Sequence, residues 1–304
     1  MKILVTSPFP LDGKSGNAVT ARRIAGLLPD ARVCHGWDGE SADLLIALHA
    51  HRSRHAVERF QAAHPQGRVA ILLTGTDLND FPLDELLQIG LKVDALVCMH
   101  DQALKRLPEP LLNRAHVIFP SVQMSPRKTS PEPHLVTLIG HLRPVKNPFL
   151  AVESLGDLPL RLIHIGKALE DEEERHAKRW HESESRYEWL GGLPRDRTLD
   201  WLSRSWVTLN TSHSEGASNV VAEAVVLGVP VFATRIEGNV GLLGPEHLGL
   251  FEPPELHAHM DRAFREPEFL DTIRLQQAKR RPLFSTAREA TSWMSLAERV
   301  VESR

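Results

Sequence analysis

The sequence predicts an α/β protein built from two doubly wound parallel-sheet domains. Short β-branched runs alternate with longer amphipathic segments, the pattern of parallel strands covered by crossover helices. The alternation halts at 121–133, a stretch rich in Pro, Ser and basic residues, and then restarts. At 304 residues the chain has material for about two domains of ~150 residues each. The first is placed at 1–125 and the second at 134–285, with a cleft between them. A final helix over about 286–304, with no strand after it, is expected to pack back on the first domain.

Each element has its own signal. In the first half, apolar runs place strands at 2–6, 31–34, 43–48, 68–73, 94–98 and 115–118. Helical spacing places helices at 18–28, 53–63 and 82–89. In the second half, strands near 135–139, 160–164, 187–190, 206–210 and 230–233 alternate with helices at 147–155, 169–182, 195–204 and 219–227. The acidic run Glu170–Glu174 precedes Arg175, Lys178 and Arg179. Asp171 with Arg175, and Glu174 with Lys178, are spaced for ion pairs on a solvated helix face rather than for a metal.

Composition excludes several classes of function. The formal charge is −3 and the pI about 6.6, so bulk charge gives no argument for nucleic acid. Two cysteines, Cys34 and Cys98, lie in apolar runs without CxxC spacing and read as buried thiols in a reducing compartment. No segment approaches the ~20 apolar residues of a membrane span, and the N-terminal apolar run is too short for a signal peptide. A cytoplasmic protein is expected, with neither metal nor cofactor.

The densest chemistry lies in Ser214-Glu215-Gly216-Ala217-Ser218-Asn219-Val220-Val221-Ala222-Glu223. It sets two carboxylates eight positions apart, one in a turn and one inside a helical segment. A helix starting near Ser218 would turn unpaired N–H groups of Gly216 to Asn219 and a positive dipole end towards an anion. Carboxylates for hydroxyls beside a helix end for phosphate describe a nucleotide-sugar site. Gly140-His141-Leu142-Arg143-Pro144-Val145-Lys146 follows a buried strand and offers Arg143 and Lys146 to a diphosphate. Gly166 and Gly191, after the next two strands, would allow close backbone approach to a base.

The first half offers candidates for an acceptor. Gly13, Gly16 and Asn17 belong to a β-to-α turn that is either a ligand loop or a flexible connection. Gly13-Lys14-Ser15 is no P-loop, because Pro8 stands where that motif needs glycine. His49, His51 and Arg52 end a strand; no partner ligands lie at zinc spacing, and polar contact with substrate is the better reading. Thr74-Gly75-Thr76-Asp77 ends the following strand, where Thr76 or Asp77 would equally serve as a helix cap. Asn239, after the strand at 230–233, would border the same cleft.

These motifs resemble the retaining glycosyltransferases of the GT-B fold, which has two Rossmann-like domains. The Glu-x7-Glu segment Glu215–Glu223, Gly228-Val229-Pro230-Val231, and Gly140, Leu142 and Lys146 carry the resemblance. It implies that Glu223 holds the ribose of a nucleotide sugar, Glu215 contacts sugar hydroxyls, and Lys146 grips the diphosphate. Two positions depart: His141 stands where the motif has Arg, and Thr74 where many relatives have His.

A narrower set of residues is similar to the selenosugar synthases of selenoneine biosynthesis. It comprises Trp37-Asp38-Gly39-Glu40, Asp43–Ala50, Thr74–Leu78, Gly140–Arg143 and Ile236–Gly244, and it includes both departures. The resemblance implies that selenophosphate is joined to the sugar of a UDP-sugar, of the UDP-GlcNAc or UDP-glucose type, with release of UDP. Competing readings are an O-glycosyltransferase of polysaccharide or glycolipid assembly, a nucleotide-sugar 2-epimerase, and a non-catalytic nucleotide-sugar binder.

Overall fold

The computed structural model describes residues 1–12, 15–124 and 130–302. The candidate Gly13 lies outside the described residues, as does part of the stretch 121–133. Two compact units form: Met1–Ser121 together with Leu283–Arg304, and Val122–Pro282.

The first unit opens with β1 (Ile3–Ser7), α1 (Gly16–Leu27), β2 (Ala31–His35), β3 (Leu44–Leu48) and α2 (Ala50–Ala63). It continues with β4 (Arg68–Leu72), α3 (Thr76–Asn79), α4 (Leu83–Gly90), β5 (Ala95–Cys98) and β6 (Ala115–Val117). The second unit begins with β7 (Leu135–Ile139), α5 (Leu150–Glu153), β8 (Arg161–Ile165), α6 (Asp171–Ser183), β9 (Tyr187–Trp189) and α7 (Arg195–Arg204). There follow β10 (Val207–Asn210), α8 (Asn219–Leu227), β11 (Val231–Thr234), α9 (Glu237–Leu243) and β12 (Leu250–Phe251). Helices α10 (Leu256–Arg265) and α11 (Pro267–Arg280) close that unit, and α12 (Thr286–Glu302) belongs to the first.

Each unit holds one six-stranded sheet, in the orders β2-β1-β3-β4-β5-β6 and β12-β11-β10-β7-β8-β9. Every pairing is parallel. Parallel neighbours need long crossovers, which the intervening segments supply and which bury both faces.

Alternation along each strand divides the core in two. In the first unit Ile3, Val5, Leu44, Ile46 and Leu48 pack with α1 and with Trp293, Leu296 and Val300 of α12. Leu4, Leu45, Ala47, Val69 and Ile71 point the other way, against α2 and α4. The second unit repeats the plan: Val136, Leu138, Leu162, Val207 and Phe232 meet α5, α10 and α11. Leu135, Ile163 and Ile165 meet Trp201 of α7.

Three local expectations need correction. The helix expected over 147–155 is the single turn α5. Pro144 opens a short 3-10 turn, Asn147 follows in the left-handed region at φ 43°, and Pro148 lacks a backbone N–H. Helix α2 starts at Ala50 rather than near 53, so His51 and Arg52 belong to its first turn. Beyond Thr234 the chain forms α9, β12, α10 and α11, a stretch for which the sequence signals no element before the last helix.

Candidate active site

The carboxyl ends of β7 and β10 bring Lys146 and Glu215 together. Lys146 Nζ donates to Glu215 Oε1 at 2.5 Å, and the same oxygen accepts from Ser212 Oγ at 2.7 Å and Asn210 Nδ2 at 3.3 Å. The two loops are stitched by their backbones. Thr211 Oγ1 donates to the Lys146 carbonyl and the His213 N–H donates to the Val145 carbonyl. From below, Asn239 Nδ2 donates to Asn210 Oδ1 at 3.1 Å and to the Thr234 carbonyl at 2.9 Å. Asn239 is fully buried. It therefore braces the loop instead of lining an open surface, which corrects its expected role.

Helix α8 begins as its sequence suggests, with Ser218 as an extended N-cap and Gly228 as a left-handed C-cap at φ 76°. Ser218 gives its first turn no side-chain cap; its hydroxyl instead accepts from Asn210 Nδ2 at 3.1 Å. The leading N–H groups thus keep their capacity for an anion. Gly216, Ala217 and Val220 are half-buried and Asn219 is exposed. Gly238 in α9 lets this loop approach: a Cβ there would stand 2.4 Å from the Glu215 carbonyl oxygen.

Glu223 is the buried polar residue of α8, set among Val221, Ala222, Ala224 and Val225. Burial pushes its carboxyl above the usual range, opposed by Arg195, whose Nη2 donates to Oε1 at 2.6 Å. Arg195 was not among the sequence candidates. It opens α7 directly after Pro194, 28 residues before its partner, and only its place where the loop after β9 enters a helix could have flagged it.

Around the turn after β7, Arg143 is exposed and His141 accepts the Lys167 N–H at Nδ1, 3.1 Å away. Burial, followed by the charges of Lys167, Arg143 and Lys146, lowers the His141 pKa. A neutral ring with Nδ1 accepting carries its proton on Nε2, so His141 is a donor without charge. Gly166 has a packing reason of its own. A Cβ there would lie 1.7 Å from the Gly140 carbonyl oxygen, so it lets two strand ends meet. Gly191, at φ 67°, has open space where a side chain would be.

In the first unit, Ser15 caps α1, its hydroxyl accepting the Ala18 N–H, so Gly16 and Asn17 form the helix start. His49 is buried rather than presented for direct contact. It stands at φ 70°, with Nδ1 2.8 Å from Asp77 Oδ1 and Nε2 3.0 Å from Thr76 Oγ1. Asp77, also buried, accepts the Thr74 N–H at 2.7 Å; the residue capping α3 is Gly75, not Thr76 or Asp77. His51 stacks on Phe81 with ring centroids 3.9 Å apart, and Arg52 lies over Phe9. Among the described residues no group of three or more His, Cys, Asp or Glu is placed to hold a metal ion. Nor is any helix among them long and apolar enough to cross a membrane.

Solved structures with the same fold include sucrose-phosphate synthase from Thermosynechococcus elongatus. The TM-score is 0.83 at 13% identity, covering 100% of both chains. Anabaena HepE in complex with UDP-glucose matches with a TM-score of 0.72 at 16% identity, covering 100% of this chain and 99% of that one. In sequence, the glycosyltransferase 1 domain-containing protein 1 of Xenopus tropicalis is 30% identical over 154 residues. That match takes in 48% of this chain and 44% of the relative, so the chain spans less than half of the relative's length. Two Rossmann-like parallel-sheet units of this kind define the GT-B class of glycosyltransferase folds. The model of the family Glycosyl transferases group 1 matches residues 123–280, just over half of the chain, and the chain belongs to that family.

Proposed function

We propose that this chain is a nucleotide-sugar-dependent glycosyltransferase that joins selenophosphate to the sugar of a UDP-sugar and releases UDP. The observation that carries the donor half is the meeting of Lys146, Glu215 and the uncapped start of α8, with Glu223 farther along the same helix. Lys146, Arg143 and the α8 N–H groups take the diphosphate, Glu223 the ribose, and Glu215 the sugar hydroxyls. Gly191 leaves room for the base. Support for a UDP-sugar comes from the fold shared with HepE, which was solved with UDP-glucose.

Support for selenophosphate rests on the resemblance of several sequence segments to selenosugar synthases, those with His141 and Thr74 among them. In the proposed step selenium attacks the anomeric carbon. The carbon–oxygen bond to the diphosphate breaks, and its electron pair leaves on the diphosphate oxygen. Selenium in selenophosphate is soft and already anionic, so no base need remove a proton. What remains for the protein is to stabilise charge on the leaving group and to aim the nucleophile. His141 suits that task as a neutral hydrogen-bond donor beside the cations. Acceptor recognition is assigned to the first unit, through Gly16, Asn17, His51, Arg52 and Thr74, with His49 orienting Thr76.

The test supplies mixed UDP-sugars with selenophosphate and follows UDP release and product mass. A selenium-bearing sugar, formed faster than any product from simple alcohol sugars, is expected. Faster turnover with an alcohol sugar would reassign the chain as an O-glycosyltransferase. Lys146→Ala and Glu223→Ala should each abolish turnover while circular dichroism stays native; near-normal kinetics in either would refute the donor assignments.

A further inference from the structure

A carboxylate inside an apolar helix face needs a reason. Six of the nine residues of α8 besides Glu223 are buried and apolar, yet Glu223 is only 5% exposed. Its partner offers limited compensation, because the Arg195 side chain is 67% exposed and water screens its charge. A leucine at 223 would pack as well without desolvating a charge. The pair therefore serves something other than stability, and its geometry says what. Arg195 engages Oε1 from the start of α7, at the mouth of the loop that follows β9. Gly191 in that loop leaves the neighbouring space open. A guanidinium is planar and permanently charged, and one N–H suffices to fix the carboxylate while the others remain free.

We infer that Arg195 is a positioning residue for the nucleotide: it fixes the Glu223 carboxyl group in one orientation, ready to accept both hydroxyls of a ribose diol. This rests on the assignment of Glu223 to the ribose, and it adds a residue from a different helix to that subsite. Arg195 acts through Glu223, so its effect must depend on the diol.

The test is calorimetric titration of the full chain with UDP and with 2′,3′-dideoxy-UDP. The wild-type protein should favour UDP. Arg195→Gln should weaken UDP binding about tenfold, the equivalent of ~1.4 kcal/mol, and leave dideoxy-UDP binding unchanged. Arg195→Lys, which keeps the charge, should recover much of the loss. Glu223→Gln should remove the preference for UDP, and adding Arg195→Gln to it should do nothing more. Thermal melting confirms that each variant is folded.

The outcomes separate two failures. A wild-type protein that does not bind UDP, or binds both nucleotides alike, overturns the ribose assignment and this inference with it. A wild-type preference for UDP that survives intact in Arg195→Gln overturns the inference alone. Equal losses for both nucleotides would make Arg195 a diphosphate or base contact and also overturn it. Tighter UDP binding in Arg195→Gln would mark Arg195 as a competitor for Glu223, the opposite of the role assigned.

Discussion

Asn210 is the residue on which the Glu215 loop turns. It closes β10, and its single amide reaches Glu215 and Ser218 while receiving Asn239 and the Ser212 N–H. Truncation strands several buried partners at once, and each buried unsatisfied group costs about 1–3 kcal/mol. Asn210→Ala should lower stability by about 2 kcal/mol and turnover by more than tenfold. Denaturant unfolding beside initial rates checks this; a stability loss with full turnover would deny Asn210 any part in aiming Glu215. The sequence marked Glu215, Glu223 and Lys146 because their spacing is local or follows a strand. It could not mark Asn210 or Arg195. Their importance arises from partners brought near by the sheet and by helix packing, which no periodicity records. The first-unit histidine shows the reverse limit: a polar residue at a strand end was legible, but burial against Asp77 and a positive φ were not.

At the scale of elements, α9 fixes how closely the loop carrying Glu215 may approach. Ala is a better helix former than Gly by about 1 kcal/mol, so Gly238→Ala should help α9 considered alone. The added Cβ, however, would meet the Glu215 carbonyl oxygen at 2.4 Å and its own Cβ at 3.1 Å. The loop must shift, since both are fixed parts of the chain. A tenfold or greater fall in turnover is expected, with a stability change of only about 1–3 kcal/mol. Unchanged kinetics would show that Glu215 tolerates displacement. The regular strands and most crossover helices were legible because apolar runs of four or five residues alternate with amphipathic segments. Helix α9 was not, because its buried face includes Gly238, Asn239 and Gly241, which carry no apolar period. Helix α5 is shorter than the apolar spacing of 147–155 suggests, because that spacing conceals the opposing geometry of Pro148 and a left-handed Asn147.

For the molecule as a whole, acid should act first on the second unit. Its buried imidazoles His164 and His247 are both held down to about 4, chiefly by desolvation. His164 is neutral between the Tyr187 hydroxyl and the Gly140 carbonyl. Unfolded histidine takes its proton near pH 6.5, whereas these rings stay neutral in the fold until about pH 4. The unfolded state therefore binds more protons across that window. The stabilisation is complete above pH 6.5 and is lost as pH falls towards 4, by at most ~3 kcal/mol for each ring. Hydrogen exchange at pH 7 and pH 5 should show protection falling in β7 and β8 before β3 and β4. Equal loss in both sheets would contradict it.

The first sheet also depends on residues far along the chain. Glu289 of α12, buried, bonds Arg23 of α1 and accepts the Ser121 N–H, while Trp293 fills the core beneath. During synthesis, β1 to β6 leave the ribosome long before that helix exists. One apolar side of the sheet must then wait, bare and sticky, through the translation of more than 160 residues that build the other unit. The second unit, drawn from one unbroken stretch, carries no such delay. The sheet translated before the second unit is thus finished only after it, and until then its bare side is open to the aggregation that partly folded chains invite.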